Sequence, residues 1–182
     1  MTKDDWADGS GVLQARLGER IRIGELLRLM IEDSDNIAAN MLVDLVGAAN
    51  INDTMDAMGL HNTRISDRAR ESNQQIVTAD DLGRLLETVA RGQLVDAQTS
   101  EEAVRLLERR QAQSWIAEGL PWWAKLAHKW GDLPNARHDV GIVYTPRNQL
   151  VLAILTENGT SAAAAEQIRT LTRRIVDYFE GT

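Results

Sequence analysis

In the N-terminal part of the chain, apolar residues recur every three to four positions, which is the period of an amphipathic helix. One such series predicts a helix from residue 23 and consists of Ile23, Leu26, Leu27, Met30 and Ile31. The polar residues 33–35 interrupt it. A second series predicts another helix, which Gly47 ends. Its apolar side is formed by Ile37, Met41, Leu42, Leu45 and Val46.

Three further helices are predicted before residue 120. The first is short and ends at Gly59, and the polar stretch 60–77 after it is predicted to be a long loop of a kind that often carries function. Thr78 and Thr99 each begin a capping-box pattern. These patterns predict helices that run to about residues 91 and 111.

The pattern changes near Pro121, where short runs rich in branched and aromatic residues replace the helical period. The runs are "WAKLAHKWG", "DVGIVY" and "QLVLAILT". The tight connection "TPRNQ" predicts that the last two runs form an antiparallel hairpin. A final amphipathic helix is predicted from about Ser161 to Phe179.

Helices followed by a strand meander and a last helix predict an α+β fold rather than alternating βαβ units. We expect one domain over residues 1–182. Its helical lobe covers about residues 20–120, and a three-stranded antiparallel meander with the C-terminal helix covers about residues 121–182.

Composition narrows the function classes. The net charge of −7 argues against a sequence-independent grip on nucleic acid, which needs clustered lysine and arginine. No apolar run is long enough to span a membrane. The N-terminal "MTKDDWADGSG" lacks the apolar core of a signal peptide, and the compartment is left open.

Three polar stretches are candidates for chemistry, and each has a structural alternative. Ser34-Asp35-Asn36 lies between two predicted helices, where such side chains cap helix ends. Lys129-Trp130-Gly131 ends a predicted strand, where the lysine could simply face solvent. The stretch 137–141 could be a strand start with a capping aspartate. Its adjacent His138 and Asp139 cannot form a dyad, because neighbouring strand residues point to opposite faces.

No metal or cofactor is predicted. The histidines at positions 61, 128 and 138 lack partners at the spacing of a helical zinc site. Asp33 and Asp35 lack the spaced oxygen ligands and the glycine of a calcium loop. The chain contains no cysteine, which excludes disulfides and thiol catalysis.

The candidate stretches occur in an order that resembles a known family. "LLRLMIEDSDNIAANMLVDLVG" is followed by "VTADDLGRLL" and then by "LAHKWG" and "RHDVGIVYTP". This order resembles the class A serine β-lactamases and the related penicillin-binding proteins, whose motifs are S-x-x-K, S-D-N and K-T-G. The resemblance covers nearly the whole chain, from about Gly11 to Phe179.

The resemblance implies roles for the S-D-N residues in opening a β-lactam amide through a serine acyl-enzyme. Ser34 matches the serine that relays a proton toward the β-lactam nitrogen. Asn36 matches the asparagine that binds the substrate's side-chain amide, and Asp35 matches the aspartate that holds the loop in shape. The implied partner is a β-lactam or a peptidoglycan-like small molecule.

The second motif carries over less completely. Lys129 matches the lysine whose charge favours the substrate carboxylate and polarises Ser34, and Gly131 matches the glycine that lets the substrate lie close to the strand. Trp130 takes the substrate-binding place of the threonine. An indole has no hydroxyl for the carboxylate, and it would crowd the site if it pointed inward.

Two further departures put activity in doubt. No S-x-x-K occurs in the sequence, so the family's nucleophile is missing from these residues. Glu71 and Asn73 have the wrong spacing for the deacylating E-x-x-x-N of class A enzymes. Removing the nucleophile of a serine hydrolase costs on the order of 10⁶ in turnover, so we expect the chain alone to be nearly inactive.

Several alternatives follow from the missing motif. The chain could be part of an enzyme whose N-terminal segment carries S-x-x-K, or a non-catalytic descendant that binds a ligand or a partner. In a further alternative, Ser34 and Lys129 form a catalytic dyad that takes over the role of the missing nucleophile. Without an N-terminal strand, "QLVLAILT" would be an open edge, which predicts a homodimer or complementation by an N-terminal fragment. A hollow left by a missing catalytic helix could be filled by Trp115, Trp122, Trp123 and Trp130.

Overall fold

The computed structural model describes residues 1–66, 75–109, 111 and 113–181. The chain divides into two compact units, one of residues 1–81 with 110–112 and one of residues 82–109 with 113–182. The sequence-based boundary lay near residue 121. Three helices before that position belong to the same unit as the sheet. The apolar faces of two of these helices cover one side of the sheet.

The first unit contains the helices that the periodicity predicts. They are α1 (Ile23–Glu32), α2 (Asn36–Val46) and α3 (Ala48–Ala57). Gly47 separates α2 from α3 with a φ of +85°, a conformation that glycine adopts without strain. Two short 3₁₀ helices, Lys3–Asp5 and Leu13–Arg16, precede α1. The core of this unit joins Leu13 to apolar residues of α1 and α2.

Helix α4 (Ala79–Ala90) begins as the capping pattern predicts, since Thr78 Oγ1 accepts a hydrogen bond from the Asp81 N–H at 3.2 Å. The predicted cap of α5 (Ala97–Leu107) is wrong. The capping side chain is Asp96, whose Oδ1 accepts the Thr99 N–H at 2.7 Å. Aspartate is at least as good an N-cap as threonine and lies three residues ahead of Thr99, so the helix starts earlier.

The second unit is built on a three-stranded antiparallel sheet in the order β1-β2-β3, as predicted. The strands are β1 (Lys125–Leu133), β2 (Ala136–Tyr144) and β3 (Gln149–Leu155). The register places Lys129 opposite Val140 and Ile142 opposite Val151. The hairpin from β2 to β3 closes through the Thr145 N–H, which donates to the Asn148 carbonyl at 2.9 Å.

Each face of the sheet is covered by helices of the same unit. One face packs residues of β1 and β2 such as Ala127, Val140 and Ile142 against Leu86 and Val89 of α4. The other face packs against the short helix α6 (Trp115–Gly119) and against α7 (Ser161–Glu180). Alternation along the strands therefore gives two apolar cores, one on each side of a single sheet.

Helix α7 runs antiparallel to β3. It begins six residues after the last residue of β3, and its other end returns to the β2–β3 turn. There the Glu180 carboxylate accepts from Thr145 Oγ1 at 2.6 Å and from Asn148 Nδ2 at 2.8 Å. No helix in the described part of the chain is both long and apolar enough to cross a membrane.

Candidate active site

Ser34 lies in the short connection between α1 and α2 and has a backbone φ of +51°. This left-handed conformation is uncommon for any residue other than glycine. The residues on either side of Ser34 are both hydrogen-bonded to the last turn of α1. The N–H groups of Asp33 and Asp35 both donate to the Leu29 carbonyl, at 3.0 and 3.1 Å. The backbone therefore fixes the half-buried Ser34 in a strained conformation of a kind that clusters at functional sites.

The carboxylate of Asp35 is completely buried and organises the backbone around it. Its Oδ1 accepts the Ala38 N–H at 2.9 Å and so caps α2. Its Oδ2 accepts the N–H groups of Val12 and Leu13 at 2.7 and 3.0 Å. Three charge-assisted hydrogen bonds tie the N-terminal segment to the start of α2.

Asn36, the first residue of α2, is held by the same N-terminal segment. Its backbone N–H donates to the Ser10 carbonyl at 3.1 Å, and its side-chain Nδ2 donates to the Asp8 carbonyl at 2.7 Å. A carbonyl can only accept, so this bond orients the amide with its nitrogen toward Asp8. The Asn36 side chain is thereby fixed about its Cβ–Cγ bond.

Gly9 and Gly11 are site-building residues that the sequence reasoning missed. A Cβ on Gly11 would lie 2.3 Å from Asp35 Oδ2, and a Cβ on Gly9 would lie 2.7 Å from Asn36 Nδ2. Both glycines also have positive φ, at +97° for Gly9 and +130° for Gly11. The signal was a pair of glycines in a polar segment, and only the fold reveals which side chains approach them.

Lys129, Trp130 and Gly131 lie within β1 and not at its end. The strand continues to Leu133, and Gly131 pairs with His138 in the register. The predicted strand end was therefore wrong. Glycine weakens a strand but does not stop one whose neighbour continues the ladder.

The ammonium group of Lys129 is partly buried on this strand. Its Nζ donates to the Trp130 carbonyl at 2.9 Å and lies 5.1 Å from the centre of the Trp130 ring. Burial lowers the pKa of Lys129 to about 8, and the negative charge of Asp139 opposes this shift. Such a lysine can exchange a proton near neutral pH, unlike an exposed one.

The Trp130 ring packs into the core of the second unit. It meets Trp115 edge to face, with ring centres 6.1 Å apart. Its Nε1 is buried and has no hydrogen-bond partner among the described residues. The Arg137 guanidinium also contacts Trp115 and lies 5.6 Å from the centre of its ring. Trp130 therefore anchors β1 in the core, and this position of the strand has no hydroxyl group.

Packing within the chain does not require Gly131 to be glycine. A Cβ there would lie 3.6 Å from the nearest atoms of His138, which is ordinary van der Waals contact. Gly141 on β2 differs, since a Cβ would lie 2.8 Å from the Ala127 carbonyl oxygen. The fold thus explains the glycine at position 141 and leaves the one at 131 without a packing reason.

Asp139 has a role that the sequence did not indicate. It lies inside β2 and is completely buried, so it does not cap the start of that strand. Its Oδ2 accepts the Ile116 N–H at 2.9 Å, which caps α6, and its Oδ1 lies 2.9 Å from His128 Nδ1. The histidine that reaches this carboxylate is on the neighbouring strand, because adjacent His138 points to the opposite face.

The structure brings the predicted site residues together in two groups. Ser34, Asp35 and Asn36 form one group in the first unit, and residues 129–131 form the other in the second unit. Glu71 and Asn73 lie outside the described residues.

Three of the four tryptophans that could fill a hollow lie in the core between the sheet and helices α6 and α7. Trp115 is buried, and Trp123 and Trp130 pack against the same cluster. Trp122 is 94% exposed and fills nothing, because it lies in the loop ahead of β1.

Comparisons with known proteins identify the family and the fold. A family model described as the beta-lactamase enzyme family matches residues 1–179. Among solved structures, PBP-A is 27% identical with a TM-score of 0.92, over 100% of this chain and 70% of that one. A β-lactamase from Sphaerobacter thermophilus is 27% identical with a TM-score of 0.89, over 100% of this chain and 73% of that one. No curated protein matched the chain.

A class A β-lactamase from Mycobacterium abscessus has the same fold at 20% identity, with a TM-score of 0.87. The alignment covers 99% of this chain and 74% of that one. These solved structures therefore each extend beyond the part that this chain matches.

Replacing Gly11 with alanine tests the Asp35 arrangement. We expect Gly11→Ala to lower the free energy of unfolding by about 2–4 kcal/mol, because the new Cβ strains φ and displaces the Asp35 carboxylate. The matched control is Gly18→Ala, which also has a positive φ, of +90°, but meets no atom within 4 Å. Urea denaturation of both variants measures the difference. Equal losses would show that the contact with Asp35 contributes nothing.

The Lys129 environment predicts a pH dependence of stability. The folded pKa of about 8 lies below the unfolded value near 10.5, so between these values the unfolded chain binds more protons. Stability should therefore rise with pH across this window, by up to about 3 kcal/mol. Lys129→Met should abolish the rise. Denaturation at intervals from about pH 7 to 10.5 measures it, and parallel curves for the two proteins would contradict the assignment.

Proposed function

Because this chain belongs to the beta-lactamase enzyme family, we propose that it provides the substrate-binding and proton-transfer residues of a serine acyl-transfer domain that acts on β-lactams. In this proposal, Ser34 relays a proton and Asn36 binds the substrate amide. Lys129 attracts the substrate carboxylate. None of the serines in these residues is proposed to be the nucleophile.

The observation that carries the proposal is the conformation of Ser34. A left-handed serine costs of order 1–3 kcal/mol, and glycine would avoid this cost. The surrounding backbone nevertheless holds serine there through Asp35 and the Leu29 carbonyl. A serine held in a strained conformation that glycine would adopt without cost supports a chemical role for the Ser34 hydroxyl.

Lys129 supports the proton-transfer part. With a pKa of about 8, it is mostly protonated at neutral pH and still close enough to that pH to exchange a proton. Its charge would favour a carboxylate, and its proton could be shared with a hydroxyl. An ordinary surface lysine with a pKa near 10.4 would supply charge alone.

Asn36 and Gly131 support the substrate-binding part. The bond from Asn36 Nδ2 to the Asp8 carbonyl fixes the amide in one orientation, which is the preorganisation that a binding group needs. Gly131 has no packing reason to lack a side chain, and close approach of a ligand to the strand would supply one. The Trp130 ring packs into the core against Trp115, so this residue offers the substrate carboxylate no hydroxyl.

The nucleophile is proposed to come from a segment with no counterpart in these residues. The sequence contains no S-x-x-K, and this chain spans only 70–74% of the solved structures that it resembles. A mutant of PBP-A has been solved as an acyl-enzyme complex with penicillin G. We infer that this chain takes part in acylation only together with a segment that carries the nucleophile.

Two alternatives make different predictions. A non-catalytic protein would bind a β-lactam or a partner and would stay unacylated even when a nucleophile segment is supplied. A Ser34–Lys129 dyad would be acylated without any added segment. The two alternatives and the main proposal can therefore be separated by where the acyl group appears.

Intact-protein mass spectrometry after incubation with penicillin G is the test. We expect no adduct on the folded 182-residue chain alone. We expect an adduct when a separately produced segment of PBP-A carrying its S-x-x-K is added, located on that segment. The added segment by itself is the control and should stay unlabelled.

Other outcomes identify the alternatives. A stoichiometric adduct on the chain alone that maps to Ser34, and that is lost in Ser34→Ala, would establish the dyad and contradict the proposal. An unlabelled mixture that nevertheless assembles, as judged by sedimentation, would favour the non-catalytic protein.

Gly131→Ala separates a ligand-binding role from a structural one. The added Cβ meets only ordinary contacts, so we expect the free energy of unfolding to stay within about 1 kcal/mol of the parent value. Affinity for penicillin G should fall at least about tenfold, because the methyl group occupies the space of a ligand against the strand. Gly24→Ala, with no atom within 4 Å of its Cβ, is the control. Unchanged binding in Gly131→Ala would remove this residue from the site.

A further inference from the structure

We propose that His138 is a further ligand-binding residue beside Gly131, and that its Nε2–H donates a hydrogen bond to an uncharged carbonyl oxygen of the ligand. This inference rests on the proposed function, because it names the group that a β-lactam meets when it lies against β1. It is drawn from the strand register, from the space beside Gly131 and from the hydrogen bonds that hold the imidazole ring.

The strand register brings His138 to the face that also carries the lysine and the glycine of β1. Gly131 is paired with His138, and Lys129 is paired with Val140, across the antiparallel ladder. Paired residues point to the same side of a sheet, and so do residues two apart on one strand. The side chains of Lys129 and His138 therefore share one face with the empty side-chain position of Gly131.

The space beside Gly131 is bounded by a single side chain among the described residues. Apart from the chain neighbours of Gly131, a Cβ there would have only the Cβ and the Cδ2 of His138 within 4 Å, both at 3.6 Å. A ligand that fills this space therefore packs against the imidazole ring. Because Cδ2 is bonded to Nε2 in that ring, the polar group nearest to the ligand is Nε2.

The other ring nitrogen is already used within the fold. The Thr156 N–H donates to His138 Nδ1 at 3.2 Å. A backbone N–H can only donate, so this contact assigns Nδ1 as the acceptor and places the hydrogen of the neutral ring on Nε2. The half-buried His138 therefore offers a ligand a donor and not an acceptor.

Thr156 is itself held against β2 by its side chain. Its Oγ1 accepts the Arg137 N–H at 2.8 Å and donates to the Arg137 carbonyl at 2.7 Å. These bonds continue the pairing of β2 with β3 one residue beyond the last strand pair, which joins His138 to Leu155. The imidazole is thus oriented before a ligand arrives, and this lowers the entropy cost of binding.

The ring favours an uncharged acceptor. Burial lowers the pKa of His138, against the opposing effect of the Arg137 carbonyl, so the imidazole is neutral at neutral pH. Protonation would place a hydrogen on Nδ1, opposite the Thr156 N–H, and would cost that hydrogen bond. A carboxylate gains most from a cation, which Lys129 supplies in the proposed function, whereas a carbonyl oxygen needs only a neutral donor.

Penicillin G carries two carbonyl groups of this kind, one in the β-lactam ring and one in the acylamino side chain. The free amine of the penicillin nucleus keeps the ring carbonyl and the carboxylate but lacks the side-chain carbonyl. Titration of the isotope-labelled chain with each ligand, followed by nuclear magnetic resonance, therefore distinguishes the two acceptors.

Two variants separate a ligand-binding role of His138 from a structural one. In His138→Gln the side-chain amide reaches the position of Nε2, and in His138→Asn it reaches only the position of Nδ1. We expect His138→Asn to raise the Kd for penicillin G about tenfold and His138→Gln to stay within about threefold of the unsubstituted protein. A purely structural role, through the Thr156 bond, predicts the reverse order.

The second ligand assigns the acceptor. A tenfold loss in His138→Asn that is confined to penicillin G would assign the side-chain carbonyl, and an equal loss for the free amine would assign the ring carbonyl. Equal affinities in the unsubstituted protein and both variants would overturn the inference and leave the proposed function standing. An unsubstituted protein that binds neither ligand would overturn the proposed function, and this inference with it.

The nitrogen chemical shifts of the labelled imidazole give a test that needs no ligand. We expect a bare Nδ1 and a protonated Nε2 at neutral pH, because Thr156 donates to Nδ1. A hydrogen found on Nδ1 would overturn the inference whether or not a β-lactam binds.

Discussion

The buried carboxylate of Asp35 is the interaction on which the N-terminal unit's candidate site depends. It caps α2 through Ala38 and holds the backbone of Val12 and Leu13, so one side chain fixes both the helix start and the segment that orients Asn36. A buried charge is tolerated only when it is fully hydrogen-bonded, and three N–H donors meet that requirement. Ser34 directly precedes this anchor and has a left-handed backbone, and the Asp35 N–H donates to the Leu29 carbonyl at the end of α1.

The second unit uses the same device in another place. Asp139 is buried between β2 and α6, where it accepts the Ile116 N–H and pairs with His128. It fixes the strand that carries Lys129 against the helix that carries Trp115, and its charge counteracts the effect of burial on the pKa of Lys129. Both candidate groups are thus supported by buried aspartates, one beside each motif.

The periodic elements could be predicted from sequence because burial of an apolar face leaves a regular signal, as it does for α1, α2, the three strands and α7. Features set by single contacts could not. Helix α6 has five residues and is too short to show a period. Asp96 and Thr99 are both residue types that cap helices, and the capping-box spacing of Thr99 with Glu102 favoured the wrong one. The approach of Gly11 to Asp35 and the bond between Asp139 and the Ile116 N–H each join residues more than 20 positions apart along the chain, so only the fold identifies them.

The proposed function requires that Ser34–Asn36 and Lys129–Gly131 both recognise a β-lactam, in residues that contain no S-x-x-K. The most direct measurement is a nuclear magnetic resonance titration of the isotope-labelled chain with penicillin G, to about 10 mM because non-covalent binding of so small a ligand is weak. We expect backbone amides of both segments to shift progressively and to return on dilution. Amides that stay unshifted in both segments, while the spectrum remains that of a folded protein, would contradict it.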